Sequence, residues 1–105
     1  MENTKVRLLI NLIKDMSIKN KVRLGICITT CDRIPILYNK SEMYNKSEMY
    51  KKFDTILKKI DEEYRTTVIN FSKYELVMFA MAKLIEMNDE ERNKIALFLF
   101  NIINA

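Results

Sequence analysis

Val22-Arg23-Leu24-Gly25-Ile26-Cys27-Ile28-Thr29 is the stretch on which the fold class turns. Val22, Leu24, Ile26 and Ile28 alternate with Arg23, Gly25, Cys27 and Thr29, which is the period of a half-buried strand, and the β-branched density agrees. Ile18, Val22 and Ile26 also fall at helical spacing, and no second strand of comparable length follows, apart from the short run Ile34 to Tyr38. A lone two-stranded hairpin is marginal in water. The stretch is therefore read as helix and the chain as mostly α. The alternative is α+β with a short hairpin within residues 20–38. Pro35 holds Ile34 extended and ends whatever precedes it.

Toward the N-terminus, Val6, Leu9, Ile10, Ile13 and Met16 recur at three- and four-residue steps, predicting a helix over Asn3 to Met16. Leu8 and Leu12 widen its apolar face, so this helix is expected to be covered on more than one side.

Toward the C-terminus comes a tandem duplication. Tyr38-Asn39-Lys40-Ser41-Glu42-Met43 is repeated as Tyr44-Asn45-Lys46-Ser47-Glu48-Met49. Six residues turn an α-helix by about 600°, so Met43 and Met49 would point about 120° apart on one helix. One copy is expected to be loop or exposed first turn, with Asn45 and Glu48, or Asn39 and Glu42, at capping-box spacing. From Met49 the stripe Met49, Phe53, Ile56, Leu57, Ile60 and Tyr64 predicts a helix reaching Val68 or Ile69.

Ser72 and Glu75 also have capping-box spacing, with Phe71 and Leu76 placed as a hydrophobic staple. They predict a helix over Lys73 to Met87, apolar on nearly every side and expected to be central. Asn88, with Asp89, Glu90 and Glu91 behind it, opens the last helix, and its carboxylates suit the helix dipole. With almost no loop between them, the last two helices are expected to make a tight antiparallel hairpin or a sharp corner. The sum is one helical domain over 1–105, a compact bundle of four to five helices ending in that helical hairpin.

The 105 residues are 49% hydrophobic and 30% charged, which is globular composition. Only one Gly and one Pro argue against a turn-rich all-β fold. No apolar run approaches the roughly 18–20 residues of a membrane span. The start Met-Glu-Asn lacks a basic stretch followed by an apolar core, so cytoplasmic residence is expected, in a host cell if the chain is viral. That origin is suggested only by abundant Lys, Asn and Ile, the bias of an A/T-rich coding sequence.

The chain has no His, which removes the commonest general base and metal ligand. Cys27 and Cys31 alone are too few for a zinc site. Four residues apart, they suit a disulfide on neither helix nor strand, and read as small buried hydrophobes. Gly25 alone cannot make a phosphate loop. No catalytic, cofactor-binding or metal residues are assigned, and no cofactor is expected.

The +4 charge is uneven. Residues 1–59 carry 13 Lys/Arg against six Asp/Glu (+7), and residues 60–105 carry five against eight (−3). The last helix bears Phe98, Leu99, Phe100, Ile102 and Ile103, enough apolar surface to predict a protein interface or a homodimer there. The leading expectation is a non-enzymatic protein–protein interaction module, an inhibitor or adaptor from a virus or mobile element acting on a host protein. The alternative is a small DNA-binding regulator in which Arg7, Lys14, Lys19, Lys21 and Arg23 neutralise phosphates and Ser17 to Ile28 is the recognition helix.

Overall fold

A computed structural model of the chain describes residues 3–34, 46–60 and 74–104. Among these, all regular structure is helical: α1 Thr4–Asp15, α2 Ile18–Thr30, α3 Lys46–Ile60, α4 Glu75–Glu86 and α5 Asp89–Asn104. They form a compact helical bundle with a radius of gyration of 12.9 Å.

α1 starts where the Asn3 side-chain oxygen accepts from the Lys5 N–H at 2.9 Å, a cap of the kind that stabilises by about 1 kcal/mol. Val6, Leu9, Ile13 and Met16 face the core as the periodicity predicts. Leu8 does not, at 61% exposed, while Leu12 on the same widened face is half-buried against the core.

Ser17 caps α2 through the Asn20 N–H at 3.2 Å. The hairpin alternative is thereby corrected over residues 20–34, while residues 35–38 lie outside the described residues. Val22, Leu24, Ile26 and Ile28 are buried, but so are Gly25, Cys27 and Thr29 between them. Alternation signals a strand only where one face stays wet. α2 packs most extensively on α3 and also contacts α4 and α5, so both phases of the alternation are inside. Each fully buried aliphatic residue here contributes about 1.5–3 kcal/mol relative to exposure. The buried Thr29 hydroxyl donates to the Gly25 carbonyl at 2.9 Å, which satisfies it within the helix.

α2 is thus the central helix, a role expected of the Lys73–Met87 segment. Gly25 makes this possible, because the Phe53 ring of α3 lies directly on its backbone. Phe53 in turn meets Phe100 of α5 edge-on, with centroids 5.9 Å apart. At the end of α2 the Cys31 carbonyl accepts from the Ile34 N–H at 3.2 Å and from the Lys46 ammonium at 2.8 Å, a cation suited to a helix C-terminus.

Lys46 belongs to the second copy of the duplicated hexapeptide. α3 begins inside that copy, earlier than the stripe alone implies, and Met49, Phe53 and Leu57 are buried. The first copy, Asn45 and the predicted helical stretch beyond Ile60 lie outside the described residues.

α4 begins at Glu75, two residues later than the expected Lys73, and the Ser72 cap and Phe71 staple expected before it lie outside the described residues. Its N-cap is Tyr74, which makes no side-chain cap bond. The Arg23 guanidinium lies 3.9 Å from the Tyr74 ring centroid, a long-range contact at the start of α4. The joint between α4 and α5 follows the predicted capping box. Asn88 N–H donates to Glu91 Oε1 at 3.0 Å, and Glu91 N–H donates to Asn88 Oδ1 at 2.9 Å. The other Glu91 oxygen accepts from the Asn3 amide, tying the start of α1 to the start of α5. Arg92 donates to the Met87 carbonyl and pairs with Asp89. Both α4 and α5 pack on α2, and α5 also packs on α1.

Candidate interaction surface

The Asn3–Glu91 bond places the first turn of α1 beside the α4–α5 joint. From there α1 and α4 border a groove of about 390 Å³. Lys5, Leu8, Leu9 and Leu12 line it from α1, and Phe79, Lys83, Glu86 and Met87 from α4 and its C-cap. Of the lining residues Leu9 and Met87 are buried, while Leu8 and Phe79 leave 61% and 53% of their surfaces exposed. Lys5, Lys83 and Glu86 are its charged residues, and the Lys83 ammonium lies 5.3 Å from the Phe79 ring centroid.

The groove arises because two helices are more apolar than their neighbours can cover. α1 spends Val6, Leu9 and Ile13 on the core, which leaves Leu8 and Leu12 to one side. α4 buries Val77, Ala80, Met81 and Leu84, and leaves Leu76, Met78, Phe79 and Ile85 exposed. Single exposed apolar residues are ordinary, but Leu8 and Phe79 line one concavity together with Leu9, Leu12 and Met87, which makes it a largely apolar groove.

This relocates the surplus apolar surface expected on the last helix. Leu99 and Phe100 are buried in the protomer's own core, Phe100 against Phe53. Phe98, Ile102 and Ile103 are half-buried and pack against that core. The signal for the groove was present in the sequence, in Leu8 and Leu12 standing off the α1 stripe. Periodicity alone cannot tell such residues from ones that a further helix covers.

The basic residues proposed for nucleic acid are dispersed in role. Arg7 and Lys14, seven residues apart, share an exposed face of α1, while Lys19 and Lys21 occupy the first turns of α2. Arg23 is half-buried, stacked on Tyr74 and bonded to Asn20 Oδ1 at 3.0 Å. From Leu24 to Thr29 α2 is buried, so that part of the expected recognition helix offers no face to a groove.

Cys27 and Cys31 are both free. Burial, reinforced by neighbouring Cys31, pushes the Cys27 thiol up to about 12, against only a weak opposing backbone hydrogen bond. It is a protonated core residue at neutral pH, whereas Cys31 is half-buried at the α2 C-cap. Among the described residues no group of three or more His, Cys, Asp or Glu side chains could hold a metal ion. None of the described helices is long and apolar enough to cross a membrane. No family model, curated protein or solved structure matches the chain.

Proposed function

We propose that this chain is a non-enzymatic helical interaction module, an inhibitor or adaptor that works by docking protein on the apolar groove between α1 and α4. The observation that carries this reading is that exposed Leu8 of α1 and exposed Phe79 of α4 line one concave, largely apolar surface that also carries Lys5, Lys83 and Glu86. A helix laid in such a groove buries apolar side chains at three- and four-residue spacing while charged lining residues fix its orientation. Large aromatic anchors such as Phe79 are the side chains on which binding energy concentrates.

The test compares wild-type chain with Leu12→Glu and Phe79→Glu variants as baits for protein partners. A specific partner should be held by wild type and by an Arg7→Ala/Lys14→Ala variant, and lost from both groove variants. Turnover of a substrate, abolished by one polar substitution, would overturn the reading. So would a partner retained by both groove variants.

A further inference from the structure

We draw no further inference here: the strongest candidate, the apolar groove between α1 and α4, belongs to the docking surface already described, and nothing in the structure shows what covers it.

Discussion

The backbone of Gly25 in α2 and the ring of Phe53 in α3 are in direct contact. A Cβ on Gly25 would lie 2.6 Å from two ring carbons and 2.7 Å from a third. The ring has little room to retreat, since it is buried and abuts Phe100. Alanine at 25 gains up to about 1 kcal/mol of helix propensity. Overpacking at such a site costs about 1–3 kcal/mol, so Gly25→Ala should destabilise by about 1 kcal/mol. Thermal melting should show a drop of several degrees, with partial recovery in Gly25→Ala/Phe53→Leu. A rise in melting temperature would mean that the ring moves aside freely.

The Asn3–Glu91 bond joins residues 88 positions apart and couples two helix starts. Glu91→Ala removes the return arm of the capping box and leaves the Asn3 amide without its acceptor. The expected loss is about 1–3 kcal/mol. Asn3→Ala should cost about 1 kcal/mol. A double-mutant cycle in urea should give a sum larger than the double variant, because both single changes break the same bond. Strict additivity would show that the bond contributes nothing.

Met49 is buried and Lys46 caps α2, so the second copy of the hexapeptide is structural. Deleting Tyr44 to Met49 nevertheless joins an identical Tyr38 to Met43 directly to Tyr50. Lys40 and Met43 then inherit the places of Lys46 and Met49. The deletion should cost less than about 1 kcal/mol, whereas Met49→Ala should cost about 2–5 kcal/mol. A deletion as harmful as Met49→Ala would mean that each copy has its own structural duty.

The Cys27 thiol is pushed up to about 12 in the folded chain. The unfolded chain binds this proton less tightly, so the contribution of Cys27 is complete below pH of about 9 and is lost as pH rises toward 12. Denaturant midpoints should therefore fall across that alkaline window, and a Cys27→Ala variant should lose part of the slope. At pH 8 a thiol reagent should modify Cys31 quickly and Cys27 only at the rate of unfolding. Rapid modification of both would contradict the burial.

Arg23 belongs to the fold as much as to the basic surface. Arg23→Ala removes the stack on Tyr74 and should cost about 1 kcal/mol. Nucleic-acid binding is better probed with Arg7, Lys14 and Lys19, which are exposed. Steeply salt-dependent DNA binding lost on their replacement would favour a regulator over a docking module. Indifference to DNA at low salt is the expected result.

The sequence by itself determined the parts of this protein whose physics is local. The Asn88–Glu91 pair marks a helix start because a cap needs only three or four consecutive residues. The stripes of α1 and α3 show which side is buried because each keeps a polar opposite face. Where neither condition held, tertiary structure decided. Alternation in Val22 to Thr29 could not separate a half-wet strand from a helix enclosed on all sides. At the start of α4 Tyr74 meets Arg23, fifty-one residues earlier in the chain, a contact that no local pattern announces. Apolar residues around α4 and α5 measured how much surface each helix would rather bury, but not which neighbour would cover it. Only the packed bundle put Leu99 and Phe100 inside and left Leu8 and Phe79 at the groove, because burial depends on which helices are adjacent.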